Sequence, residues 1–258
     1  MEFTDMMGMG IQLDNYPKRI VSLVPSQTEL LYELGLEEEV VGITKFCIHP
    51  DKWFRTKTRI GGPKKLNIAA IQSLNPDLII ANKEENIEEE ILLLQKTIPV
   101  WISDINTLDD ALKMILELGN VTGKTQKAKE IYNKTKTDFT KLPIQGIKGK
   151  SCAYLIWYQP LMVVGAHTFI NDILTKIGLI NVFKDKERYP ETSWEELSTL
   201  KPDIILLSSE PYPFSKKHQL EFENNLPNTI VTLVDGEPFT WYGSRLMHSV
   251  EYFEELFD

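Results

Sequence analysis

The side chains able to do covalent or metal chemistry are few and far apart in this sequence. The cysteines are Cys47 and Cys152, and the histidines are His49, His167, His218 and His248. In Cys47-Ile48-His49 a thiol and an imidazole lie two positions apart. A thiol attacks once a base takes its proton, and that base must itself be oriented by a third group. Glu84 or Glu85 could serve as a base beside Cys47, which would make the chain a cytoplasmic enzyme or cofactor-handling protein. The histidines form no His-x-x-x-His pair, so no dedicated metal site is expected. Gly119-Asn120-Val121-Thr122-Gly123-Lys124-Thr125 has the look of a phosphate loop. It has three residues between its glycines where four are needed, and a helical pattern precedes it, so it reads as a break between helices.

More telling are the polar and aromatic residues that directly follow apolar runs. Pro25-Ser26-Gln27-Thr28 follows the run 19–24, Lys45-Phe46-Cys47-Ile48-His49 follows 40–44, and Asn82-Lys83-Glu84-Glu85-Asn86 follows 78–81. Trp157-Tyr158-Gln159, Gly165-Ala166-His167-Thr168 and Trp241-Tyr242-Gly243 stand at comparable breaks. Loops at the carboxyl ends of parallel strands are where α/β proteins bind ligands. Phe46, Trp157, Tyr158, Trp241 and Tyr242 would offer flat apolar surface, and Lys45, Lys64 and Arg245 are the few cations nearby. That mixture suits a large, planar, weakly charged solute, and Tyr158, Tyr242 or His167 could ligate an iron.

These loops need elements to hold them. The apolar runs 19–24, 40–44, 78–81 and 99–102 read as strands, and helical spacing covers 28–34, 67–74, 88–96, 107–118 and 124–141. Ser26 or Thr28 could cap the first helix. After a linker at 143–150 the theme restarts, with strands at 152–156, 204–207 and 230–234 and helices at 171–177 and 244–256. Strands alternating with helices signal parallel sheets. The halves also repeat weakly. Ile68 to Ile80 matches Trp194 to Leu206, each a short helix, a Leu-x-Pro-Asp turn and a buried strand. A period of half the chain is too long for a solenoid and suits two similar lobes. The fold expected is α/β, with two Rossmann-like lobes built on central parallel sheets and joined by one long helix. The divisions are 1–120, a bridging helix at 121–142, and 143–258. A cleft between such lobes is a natural ligand site.

Composition bounds the function. With 258 residues, 42% hydrophobic and 25% charged, the chain is an ordinary globular one. Two distant cysteines make no disulfide framework. A net charge of -9 gives no electrostatic footprint for nucleic acid. No run of ~18 apolar residues is present, so no membrane-spanning helix is expected. The opening MEFTDMMGMGIQLDNY has no basic region and no apolar core, which reads as cytoplasmic rather than as a signal peptide.

Taken in order, Arg19-Ile-Val-Ser-Leu-Val-Pro25-Ser-Gln-Thr-Glu-Leu, Val41-Gly-Ile-Thr, Leu74-Asn-Pro-Asp-Leu-Ile-Ile80 and Leu200-Lys-Pro-Asp-Ile-Ile205 resemble the helical-backbone substrate-binding proteins of ABC importers. The likeness is strongest to the cobalamin-binding branch and runs from about Phe3 to the end. It implies a non-catalytic, monomeric solute-binding protein that holds a corrinoid, haem or ferric siderophore-type chelate between its lobes. It implies no resident cofactor, and a place in the periplasm or at the cell surface. The family's ligand-lining positions fall on Pro25, on Lys45 to His49, on the loop after Ile80, on Trp157 and on Phe239 to Tyr242. With the strand-end residues above, the expected ligand-binding set is Pro25, Ser26, Gln27, Lys45, Phe46, Cys47, His49, Asn82, Glu84, Glu85, Asn86, Trp157, Tyr158, His167, Trp241, Tyr242 and Arg245. Glu237 and Trp241 stand where the cobalamin branch has an Asp and an Arg. The acidic docking position for an ABC permease falls on Glu195, with Glu196 beside it, and its first-lobe counterpart falls on Ala69.

Overall fold

The computed structural model describes residues 1–257. They form two compact α/β units. The first comprises Met1–Ile105, Asp109–Lys136 and Trp241–Met247; the second comprises Asn106–Leu108, Thr137–Thr240 and the chain from His248 on. The segment Trp241–Met247 thus belongs to the first unit, although sequence order places it late.

Up to the middle of the chain the elements are β1 (Glu2–Thr4), β2 (Gly10–Gln12), β3 (Ile20–Ser22), α1 (Pro25–Glu33), β4 (Val40–Ile43), α2 (Asp51–Thr56), β5 (Thr58–Arg59), β6 (Gly61–Gly62), β7 (Lys65–Leu66), α3 (Ile68–Ser73), β8 (Leu78–Asn82), α4 (Glu88–Gln95), β9 (Val100–Ser103), α5 (Leu108–Val121) and α6 (Thr125–Phe139). A five-stranded parallel sheet has the order β5-β4-β3-β8-β9. Strands β3 and β8 are buried along their whole length, as strands covered on both faces must be. The order reverses direction at β3, because β4 and β5 lie on one side and β8 and β9 on the other. The loops that leave β3 and β8 therefore diverge at the carboxyl edge, the place where open α/β sheets bind ligands.

The rest comprises β10 (Ser151–Trp157), β11 (Met162–Val163), α7 (Phe169–Ile177), β12 (Ile180–Asn181), α8 (Trp194–Leu200), β13 (Ile204–Ser208), α9 (Lys216–Asn225), β14 (Ile230–Val234), α10 (Glu237–Thr240) and α11 (Leu246–Phe257). Its sheet has the order β11-β10-β13-β14, with β12 also on β10. All pairings are parallel except β10 with β11. Both units are α/β with parallel central sheets, as the alternating pattern implied.

Local details depart from the sequence reading. Neither Ser26 nor Thr28 caps α1. Val24 is its N-cap without a side-chain bond and Pro25 takes the first helical position, where its fixed φ and missing N–H cost nothing. The glycine-rich stretch 119–124 is indeed a helix break, but Gly119 itself stays in α5. A Cβ there would lie 2.1 Å from the Cβ of Ala128 on α6, so the absent side chain lets the two helices touch. Helix α6 is ~22 Å long at ~1.5 Å per residue, and the division between units falls within it, after Lys136. Helix α9 was not anticipated. His218 is its third residue and closes a capping box with Ser215.

The repeated Leu-x-Pro-Asp turn has one job in both halves. The Asp77 carboxylate accepts the N–H groups of Lys18 at 2.8 Å and Arg19 at 2.9 Å, while the Asp77 N–H donates to the Arg19 carbonyl. The Asp203 carboxylate accepts the Ser151 N–H at 2.7 Å and its hydroxyl at 2.6 Å. Each carboxylate fixes the start of the neighbouring strand, β3 or β10. The Ser151 bonds hold the Asp203 carboxyl below its usual range, so this contribution is present above about pH 4 and is lost as pH falls through the lowered value. Asp77→Ala and Asp203→Ala should each lower stability by about 1 kcal/mol, allowing for solvent screening. Urea midpoints at pH 7 test this, and unchanged midpoints in both variants would remove the role.

Candidate functional site

In the first unit, three strand-end loops and one distant segment converge. The loop after β8 is set by two asparagines. The Asn82 Oδ1 accepts the N–H groups of Glu84 at 2.8 Å and Glu85 at 2.9 Å, and the Asn86 Oδ1 accepts the Asn82 N–H at 2.8 Å. This turn presents Glu85 to Tyr242, whose hydroxyl donates to Glu85 Oε1 at 2.6 Å. Tyr242 is buried, and burial, then the charge of Glu85, pushes its phenol well above the ordinary tyrosine range. Gly243 follows with φ of +146°, and a Cβ there would meet the Ser26 carbonyl oxygen at 3.0 Å. The absence of a side chain lets this segment lie on the start of α1.

Two further contacts fasten the same segment. The Arg245 guanidinium donates to both oxygens of Glu29 on α1, at 3.0 Å and 2.6 Å, a two-point charge-assisted pair. Its Cζ also lies 5.0 Å from the ring centroid of Trp241, and the His49 imidazole lies 5.4 Å from the same ring. Trp241, expected to offer flat apolar surface, is buried, as is Tyr242.

Several predicted site residues hold the loops together from inside. Cys47 is fully buried, with its Sγ 3.1 Å from the hydroxyls of both Thr28 and Thr44. Burial raises its thiol pKa, and only a thiolate is a nucleophile, so this sulfur is part of the core. Gln27 is also fully buried and donates to Ser103 at the end of β9. Asn82 and Asn86 are buried around their own turn. Lys45 and Phe46 are exposed, Phe46 by 54%, and Pro25, His49 and Glu85 are half-buried, while Glu84 is exposed.

In the second unit Trp157 ends β10 and is 40% exposed, its indole N–H donating to the Gln159 carbonyl at 3.1 Å. It packs edge-on against Tyr212 at 5.6 Å. Tyr158 donates to the Glu221 carboxylate at 2.7 Å and lies 4.7 Å from the His218 ring. Tyr212, Phe214 and His218 are thus part of an aromatic group that sequence reasoning left out. Pro211-Tyr212-Pro213-Phe214 lies just beyond β13, so the strand-end rule applied to that run would have found it. His167, at φ of +53°, is exposed beside Glu187 at 3.6 Å. Glu195 is exposed in the first turn of α8, whereas Glu196 accepts from Lys186 at 2.6 Å and Thr192 at 2.9 Å.

The sequence pattern that defines the periplasmic binding proteins matches residues 20–227. The chain belongs to the periplasmic binding protein family. Members of this family are substrate-binding proteins. An uncharacterised ABC transporter substrate-binding lipoprotein of Bacillus subtilis is 26% identical over 97% of this chain and 83% of its own length. A vitamin B12-binding protein of Pectobacterium carotovorum is 25% identical, covering 90% of this chain and 85% of its own. A periplasmic haem-binding protein of Pseudomonas aeruginosa superposes with a TM-score of 0.80 at 19% identity, over 93% of this chain and 92% of its own. Family and fold are therefore those that the ordered motifs implied.

The Tyr242–Glu85 bond has a measurable cost of removal. Tyr242→Phe should destabilise the protein by about 1 kcal/mol at pH 7. The pH dependence follows from the raised phenol. Its contribution is complete below about pH 10 and falls as pH rises further, because the unfolded chain then loses the proton first. Tyr154, also buried and raised, adds to the same fall. Urea midpoints from pH 8 to 11 should decline less steeply in Tyr242→Phe than in the parent; parallel slopes would contradict the assignment.

Proposed function

We propose that this protein is a non-catalytic solute-binding component of an ABC importer, and that its solute is a corrinoid, haem or other ferric chelate. The observation that carries this reading is the pair of aromatic faces left exposed at carboxyl ends of parallel strands, Phe46 after β4 and Trp157 at the end of β10. A large flat solute gains most from such rings, which supply apolar area with little loss of side-chain freedom. The names of the relatives, one for vitamin B12 and one for haem, support this solute class. The metal would arrive as part of the cargo, with no resident cofactor.

Transport needs a permease, and Glu195, exposed on α8, is the acidic group through which the second unit would dock on it. The periplasmic and lipoprotein relatives support action outside the cytoplasmic membrane, at the periplasm or cell surface. Among the described residues no helix is long and apolar enough to cross a membrane.

Thermal melts with cyanocobalamin, cobinamide, haem, a ferric hydroxamate and a ferric catecholate test the reading. A panel member at ~100 times its dissociation constant should stabilise by ~2.7 kcal/mol. Phe46→Ala and Trp157→Ala should each weaken that binding by roughly tenfold, at ~1.4 kcal/mol per lost ring. A panel with no shift at all would sink this function. Unchanged affinity in both variants would move the solute away from these rings.

A further inference from the structure

An open groove of about 630 Å³ runs between the loop after β4 and the β6–β7 hairpin in the first unit. Three lysines line it, Lys45, Lys64 and Lys65, together with the exposed ring of Phe46. This is a concentration of positive charge on a chain whose net charge is -9.

The groove is built by two glycines. Gly61 has a φ of +98°, and a Cβ there would lie 2.4 Å from the Lys65 carbonyl oxygen and 2.9 Å from the Asn67 nitrogen. The hairpin can close this tightly only without that side chain, and its closure sets where Lys64 and Lys65 emerge. A Cβ on Gly62 would meet the Phe46 ring at 3.2 Å and the Lys45 Cε at 3.3 Å. Its absence lets the ring and the lysine stem lie against the hairpin backbone. The Lys45 N–H donates to the Gly61 carbonyl at 2.8 Å, which joins the two loops.

Two nearby carboxylates hold other donors, Glu85 the Tyr242 hydroxyl and Glu90 a backbone N–H. Glu90 accepts the Leu66 N–H at 3.0 Å, and Glu84 meets Lys64 through its backbone carbonyl at 2.6 Å. The Lys45 ammonium lies 5.0 Å from the Phe46 centroid. Arg245, the other cation named from the sequence, is paired with Glu29. The cationic capacity of this part of the unit therefore gathers in the groove, next to a flat apolar ring.

We infer that this groove binds the anionic arm of the solute, a carboxylate or phosphate attached to a flat apolar body that rests on Phe46. The inference builds on the proposed function and narrows its solute class to acidic chelates. A solute with no anionic group would bring no charge to complement the three ammonium groups.

The test compares haem, which carries two propionates, with haem dimethyl ester, and an anionic ferric catecholate with an uncharged ferric hydroxamate. Each is titrated against the intact protein and against two variants, Lys45→Gln/Lys64→Gln/Lys65→Gln and Lys45→Arg/Lys64→Arg/Lys65→Arg. The acidic member of the pair that binds should be held at least tenfold more tightly than its uncharged counterpart, and added salt should shrink the gap. The glutamine variant should lose that preference and the arginine variant keep it, with thermal midpoints of the unliganded proteins unchanged. Equal binding of acidic and uncharged members, or a preference that survives in the glutamine variant, would overturn the inference while leaving the proposed function standing. Absence of binding by all four would overturn the inference, and a thermal-melt panel that also shows no shift would overturn the proposed function with it.

Discussion

A carboxylate at the start of one strand, bonded to backbone N–H groups at the start of the next, sets the register of each sheet. Parallel strands have no tight turn between them to fix their alignment, unlike the strands of a hairpin. A slip of one residue would send every side chain to the opposite face. Asp77 and Asp203 remove that freedom, because each reaches two donors at once and the preceding proline stiffens the turn that carries it. The two halves use the same residues for the same purpose, which gives a physical reason for the Leu-x-Pro-Asp repeat.

Once the register is fixed, β3, β8 and β13 are buried throughout and have no room for functional side chains. Polar chemistry is displaced to their carboxyl ends. There the demand to satisfy buried polar groups decides the arrangement. The Tyr242 hydroxyl could not be buried beside an apolar wall without losing a bond worth keeping, and Glu85 accepts it. Arg245 is held by Glu29 and by the face of Trp241. The segment Trp241–Met247 is thereby made part of the first unit, although helices and strands of the second unit precede and follow it.

The same demand separates residues that shape the site from residues that face outward. Cys47, Gln27, Asn82 and Asn86 lie in loops of the right kind, yet each satisfies an internal partner. Phe46, Lys45 and Trp157 stay exposed, because their contacts, Lys45 with the Phe46 ring and Trp157 with Gln159 and Tyr212, cover only part of each side chain. A family whose members bind solutes needs such exposed faces, and buried thiols and amides supply the stiffness under them.

The sequence by itself determined the alternation of strands and helices, the two-part organisation and the loops to inspect. Each of these follows from local spacing: β-branched runs, helical periodicity, and the Pro-Asp turn seen twice. The family was legible for the same reason, since its motifs are the residues that build those turns. Only the tertiary structure decided which loop residues are buried, that Tyr242 meets Glu85 across 157 positions, and that Arg245 is neutralised by Glu29. It also placed Pro211 to Phe214 with Trp157, and Lys64 and Lys65 with Lys45. These are contacts between residues distant in the chain, and their energies depend on burial and on partners that no local pattern specifies.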